Sequence, residues 1–226
     1  MTGMKSAKKP AGAGAAVTVE PSAWQKNRMT RQQRLYRAKL SPASAELVEK
    51  RPKDARWFVL IVVDGAELSV DGRLSDAGVE TLVPREKVDV VRKEKGGKTT
   101  LLKVERACFQ GYVFVHIVPS PMAFDSLRDV KGVIDFLHVG ESYHVVRDTD
   151  LGFYRGAAAT LNLERMKADK SIGDGDRVRV KLGPFAGIEG VVLQVIKPKG
   201  RTPQVRVWST AYGKEITNPL AFVEKL

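Results

Sequence analysis

The sequence predicts an α+β protein: a small antiparallel sheet with flanking helices, then a small β-barrel, the whole preceded by a basic and largely disordered arm. Three observations predict it. Residues 57–63 (Trp-Phe-Val-Leu-Ile-Val-Val) and residues 112–118 (Tyr-Val-Phe-Val-His-Ile-Val) are β-branched and aromatic runs interrupted only by His116, the pattern of strands buried on both faces. The last 55 or so residues hold short strand patterns between turn signals and lack a long helical period. The net charge of +12 is lopsided, with +9 in residues 1–56, −3 in residues 57–150, +2 in residues 151–170 and +4 in residues 171–226.

Residues 1–22 are mostly Ala, Gly, Lys and Pro, with almost nothing to bury, and are expected to be disordered. From Trp24 onward Arg28, Arg31, Arg34 and Arg37 recur every third residue, with Tyr36 and Lys39 close by. A helix formed there on contact with a polyanion would present cations along its length, and Trp24 and Tyr36 could stack on unpaired bases. Ser41-Pro42 can open a short helix that Arg51-Pro52 ends. The first domain boundary is placed near Arg56.

After the first strand, Asp64 and Glu67 stand at capping-box spacing ahead of a helix that sets Ala66, Val70 and Leu74 on one face. A short strand at residues 81–83 leads to a hairpin of residues 88–93 and 100–105, turned by Gly96-Gly97. The central strand follows, then a helix opened by Ser120-Pro121 that buries Phe124 and Leu127, a strand over residues 133–139, and a helix from Asp148 with Leu151, Tyr154, Ala158 and Leu161 on one side. Two or three short helices cover only one face of such a sheet. The other face is either a docking surface for another protein or a face that loops cover.

In the C-terminal part, residues 178–181 alternate, residues 183–190 (Gly-Pro-Phe-Ala-Gly-Ile-Glu-Gly) turn, and strands over residues 191–196 and 205–208 precede a turn at Tyr212-Gly213 and a final Phe222-Val223 strand. Five short strands suit a closed barrel better than a sandwich, and seven valines from Val178 to Val207 favour strand.

Composition excludes several functions. The single Cys108 cannot form an internal disulfide, and three scattered histidines give no metal-ligand spacing, so no metal or other cofactor is expected. Asp174 and Asp176 lack a neighbouring histidine or a Gly-rich phosphate loop, so they read as a charged turn and no catalytic residue is assigned. Without an export signal or a run of about 20 apolar residues, the expected location is the cytoplasm, away from membranes.

The residues from Asp176 to Val192, through Gly183-Pro184-Phe185-Ala186-Gly187, resemble a KOW motif. The strand of Trp57 and the segment Phe109-Gln110-Gly111-Tyr112-Val113-Phe114-Val115 resemble the NusG N-terminal domain. Two modules in this order, ending in Phe222-Val223-Glu224-Lys225-Leu226, are similar to the NusG family of transcription elongation and antitermination factors, RfaH-like paralogues included. The charge distribution sets off a basic arm at residues 1–56, and the resemblance implies an N-terminal-type domain at 57–166, a linker at 167–173 and an SH3-like KOW barrel at 174–226. It implies a monomer that binds the clamp helices of the largest RNA polymerase subunit through Ile61, Phe109, Tyr112, Phe114 and Phe136. It further implies a barrel that recruits Rho or a small-subunit ribosomal protein through Phe185, Ile188 and Tyr212. The linker would let the two modules move independently.

Gln110 where the family has proline, no threonine-rich segment in residues 124–129, and the long arm point to a specialised paralogue. The arm residues Trp24, Arg28, Arg31, Arg34, Tyr36, Arg37 and Lys39 are expected to meet nucleic acid at the elongation complex. The alternative is a ribosome-associated or other RNA-binding KOW protein.

Overall fold

The computed structural model describes residues 23–93, 99–152, 154, 167–197 and 202–226, with the side chains of residues 23–30, 89 and 93 outside that description. In chain order the elements are α1 (Ala23–Leu40), a 3-10 turn (Ser41–Ala43), α2 (Ala45–Lys50), β1 (Arg56–Val62), α3 (Glu67–Asp76), β2 (Glu80–Leu82), β3 (Arg85–Lys93), β4 (Thr99–Ala107) and β5 (Tyr112–Ile117). Then come α4 (Pro121–Arg128), β6 (Val133–Phe136), β7 (His138–Val139), β8 (Ser142–Tyr143), β9 (Val145–Val146) and α5 (Asp148–Gly152). The C-terminal strands are β10 (Arg177–Val180), β11 (Glu189–Ile196), β12 (Gln204–Ser209), β13 (Lys214–Pro219) and β14 (Val223–Lys225).

The two apolar runs are the inner strands of the first sheet, whose order is β2-β5-β1-β6 with β9 also on β1. All of its pairings are antiparallel, and Val59 lies opposite Phe114 and Ile61 opposite Tyr112. Because side chains alternate across a strand, the pleat splits the runs cleanly. Phe58, Leu60, Val62, Val113, Val115 and Ile117 face α3 and α4, where Val70, Leu74, Ala123, Phe124 and Leu127 complete a core. Trp57, Val59, Tyr112 and Phe114 face the other way.

Helix α4 starts as its sequence predicts, with Pro121 in the first turn and Ser120 Oγ accepting from the Ala123 amide at 3.1 Å. The capping box expected at Asp64 and Glu67 does not form. Ala66 is the N-cap, without a side-chain bond. Glu67 instead accepts from the amides of Gly65 (3.2 Å) and Gly111 (2.6 Å), tying the start of α3 to the loop that feeds β5. A buried carboxylate gains more from two amide donors than from a one-sided cap.

The arm also differs from expectation. Helix α1 is already formed, and Leu40, Ala43 and the half-buried Tyr36 pack into the helix-side core. The folded unit therefore reaches back well before Arg56, because these apolar side chains complete a layer that α3 and α4 leave short.

The C-terminal strands form one sheet in the order β13-β12-β11-β10-β14, wrapped around Val178, Val180, Val192, Val205, Val207, Ile216, Phe222 and Val223. Gly190 is required where β11 crosses β12, since a Cβ there would run into the Trp208 carbonyl and the Val207 side chain. The Gly-Gly turn of the hairpin and residues Ala158 and Leu161 lie outside the described residues. Among the described residues, no helix is long and apolar enough to cross a membrane.

Candidate docking interface

The face of the first sheet turned away from its helices is covered, and the cover is the barrel. Trp57, Val59, Phe109, Tyr112, Phe114 and Tyr154 belong to one continuous cluster with Val178, Val180, Phe185, Val205, Val207 and Phe222. Cover by loops and an open docking face were the two expectations, and the structure follows neither. The 167–173 segment, expected to let two modules move apart, here joins modules that share a core.

Phe185 is the centre of the contact. It stands on the turn between β10 and β11, closed by Ala186 N to Gly183 O (3.0 Å) and Gly187 N to Val180 O (2.7 Å). Its ring is 0% exposed and meets Phe109 at 6.0 Å and Tyr112 at 5.2 Å between centroids, both edge-on, the arrangement that ring quadrupoles favour. Phe109 touches in addition Phe114 (5.9 Å), Tyr154 (5.8 Å) and Phe222 (5.9 Å). Gly183 lets the turn come this close: its φ is +87°, and a Cβ would stand 2.7 Å from Tyr154 Oη and 3.1 Å from Phe109 Cζ.

Polar groups close the rim. Thr202 Oγ1 donates to Glu86 Oε2 at 2.6 Å, a buried bond from barrel to hairpin. His144, between β8 and β9, lies between the Pro184 carbonyl (3.3 Å from Nε2) and the Tyr212 hydroxyl (3.2 Å from Nδ1), and stacks on Phe185 at 6.4 Å. With the proton on Nε2, the neutral ring donates to Pro184 and accepts from Tyr212, so both contacts are satisfied.

Burial sets the electrostatics of this seam. The Tyr112 phenol is pushed up to about 12, by burial first and by Asp64 second. Burial likewise raises the Tyr154 and Tyr212 phenols and the Cys108 thiol, which leaves that cysteine a poor nucleophile. His144 is held below its ordinary value by burial, against the opposing pull of the Pro184 carbonyl and Asp150.

Docking therefore favours neutral His144. An opened form, with an ordinary imidazole near 6.5, binds the proton more readily than the closed form. Closure is fully favoured above that value and weakens as pH falls through it toward the depressed closed-state value. The fraction of barrel-docked molecules, followed by NMR from pH 8 to pH 5, should fall below about pH 6.5. His144→Gln should flatten that part of the profile, and an unchanged profile in the variant would remove His144 from the device.

Of the residues expected to meet polymerase, Phe109, Tyr112 and Phe114 lie together at this seam, and Ile61 borders it half-buried. Phe136 does not. It pairs with Leu60, so the pleat sends it to the helix side, where it packs on Phe58, Phe124 and Tyr143. Of the barrel residues, Phe185 is buried at the seam, while Ile188 and Tyr212 are partly buried against the shared cluster. His144, Thr202 and Glu86 carried no signal in sequence. Phe222 and Tyr154 were legible only as core positions.

In the arm, the Arg37 guanidinium donates from Nε to the Asp76 carbonyl at 2.8 Å and Lys39 pairs with Asp129 at 2.9 Å. Arg31 and Arg34 are exposed, and the side chains of Trp24 and Arg28 lie outside the described residues.

A family model described as "Transcription termination factor nusG" matches residues 55–152. The chain is 31% identical over 186 residues to the "Transcription termination/antitermination protein NusG" of Escherichia coli K12, covering 75% of this chain and 96% of that protein. The protein so described from Deinococcus radiodurans is 30% identical over 190 residues, covering 74% of this chain and 95% of that one. The solved structure described as "Domain interaction in Thermotoga maritima NusG" is 21% identical, covers 77% of this chain and 98% of its own, and superposes with a TM-score of 0.35.

Proposed function

This chain belongs to the NusG family of transcription termination/antitermination proteins, and we propose that it is an elongation factor that rests in a self-covered form. Its first domain docks on the clamp helices of RNA polymerase, and its barrel recruits Rho or a small-subunit ribosomal protein. It acts as a cytoplasmic monomer without catalysis or cofactor. The observation that carries this reading is the contact of Phe185 with Phe109 and Tyr112, where each candidate binding residue is covered by one from the other surface.

Mutual cover imposes an order on binding. The polymerase helices must displace the barrel, so their apparent affinity is the intrinsic one reduced by the open fraction. Displacement then frees Phe185, Ile188 and Tyr212 for the second partner. The family's two contacts thus become sequential in this chain. The alternative, an RNA-binding KOW protein, has less support, because the covered sheet face is aromatic and aliphatic rather than basic.

Titration of the full chain with purified RNA polymerase core, read by the mobility of the barrel in NMR, tests both parts. The expected result is saturable binding accompanied by release of the barrel. A chain that polymerase does not retain would overturn the polymerase reading, and binding with the barrel still seated would overturn the order.

A further inference from the structure

Helix α1 carries Lys26, Arg28, Arg31, Arg34, Arg37 and Lys39 in 18 residues and contains no Asp or Glu. Its cations divide into two groups. Those of the last turn are spent on attachment: Arg37 bonds to the end of α3, Lys39 pairs with Asp129 beyond α4, and between them Leu40 is fully buried with Tyr36 half-buried beside it. Burial of Tyr36 raises its phenol above the ordinary value, even with Arg73 and Lys39 nearby. One turn and two turns earlier, Arg34 and Arg31 are exposed, and among the described residues neither has an ion-pair partner.

Helical geometry puts the buried anchors Tyr36 and Leu40 and the exposed arginines on opposite sides. At about 100° per residue, Tyr36 and Leu40 lie within about 40° of one another, whereas Arg34 lies about 160° from Tyr36 and Arg31 about 60° further round. Leu35, 63% exposed, falls on the same outer side. The helix is thus pinned by one end and one face, with its cationic face turned outward. The arm packs on the helix side of the first sheet, while the barrel covers the other side.

We infer that α1 is a nucleic-acid-binding lever, fixed to the first domain by its last turn, whose Arg31 and Arg34 hold a phosphate backbone whether or not the barrel is seated. The occupant follows from the charge. Arg31 and Arg34, with Arg28 before them in sequence, recur at about 4.5 Å intervals along the axis, which suits a polymer of regular negative charge, whereas an acidic protein surface mixes both signs. Guanidinium groups clasp phosphate oxygens by paired N–H donors. The preceding residues extend the same character with Lys5, Lys8 and Lys9 against the single Glu20. This inference does not depend on polymerase binding, since it needs only the arm and a polyanion.

The test measures binding of the full chain to a labelled 20-base-pair DNA duplex and to a 20-nucleotide RNA strand across a salt series, for wild type and for Arg31→Gln/Arg34→Gln. Both arginines are exposed, so the variant should keep wild-type circular dichroism and melting temperature. The expected result is a logarithmic salt slope that is shallower by about 1.8 on the duplex or about 1.4 on the single strand, at about 0.9 and 0.7 per phosphate contact. Whichever polymer shows the full change is the ligand. The same difference should appear when Phe185→Ala is added to open the barrel. Unchanged slopes would overturn the inference, as would a salt-independent loss or equal binding to polyglutamate, which marks an acidic protein as the partner. A difference that disappears once the barrel is released would overturn the claim that the lever works in both forms.

Discussion

Replacing Phe185 by alanine should release the barrel from the first domain. The ring is fully buried at the centre of the seam and contacts Phe109, Tyr112, His144 and Tyr212. Truncating a buried phenylalanine costs about 3–5 kcal/mol in a core that cannot collapse. Contact within one chain pays no translational penalty, so most of that loss falls on the docked form. Even the lower figure shifts the closed-to-open ratio by about two orders of magnitude. The barrel itself should stay folded, because Val178, Val180, Val205, Val207, Ile216 and Phe222 supply its interior. Separate rotational correlation times for the two modules, in place of one, would mark the opening. A single correlation time in the variant would show that Thr202, Glu86 and the Phe109–Phe222 contact hold the barrel without Phe185.

Phe109→Ala should have the second large effect, and its size should depend on the background. Phe109 serves closure through Phe185, Phe222 and Tyr154, and in the proposed open form it serves polymerase. In the already opened Phe185→Ala chain, loss of a central interface aromatic should weaken polymerase binding by about 2 kcal/mol or more. In the otherwise unaltered chain the same substitution also loosens closure, so part of the loss is offset by a larger open fraction and the measured weakening should be smaller. Equal losses in the two backgrounds would show that closure does not compete with polymerase. No loss in either would show that this face does not meet polymerase at all.

The pleat was legible because a period of two is a local property. Alternate residues of the 57–63 and 112–118 runs must face opposite ways wherever the strands lie, and Tyr112 and Phe114 fall together for that reason, whereas Phe109 stands before β5 and joins them by tertiary packing. Phe136 was misplaced because its face depends on register. Pairing with Leu60 rather than with a neighbour one residue away decides which side it takes, and nothing in residues 133–139 records that choice. Glu67 shows the same limit. Its spacing from Asp64 was suited to a local cap, yet the Gly111 amide, 44 positions along the chain, was the better donor.

What the sequence by itself determined was the set of modules: two doubly apolar strands, a helix opened by Ser120-Pro121, a valine-rich barrel and a strongly basic arm. These follow from local periodicity, propensity and charge, which act over a few residues. Only the tertiary structure decided that the barrel is the cover of the bare sheet face, that α1 is fastened by Tyr36, Arg37, Lys39 and Leu40, and that His144 sits in the seam. An apolar face must be buried, but its chemistry is the same whether the cover is a loop, a partner or the chain's own second module. The choice among them rests on shape and on long-range pairing, such as the room Gly183 leaves for Tyr154 and Phe109, and such complementarity has no period to read along the chain.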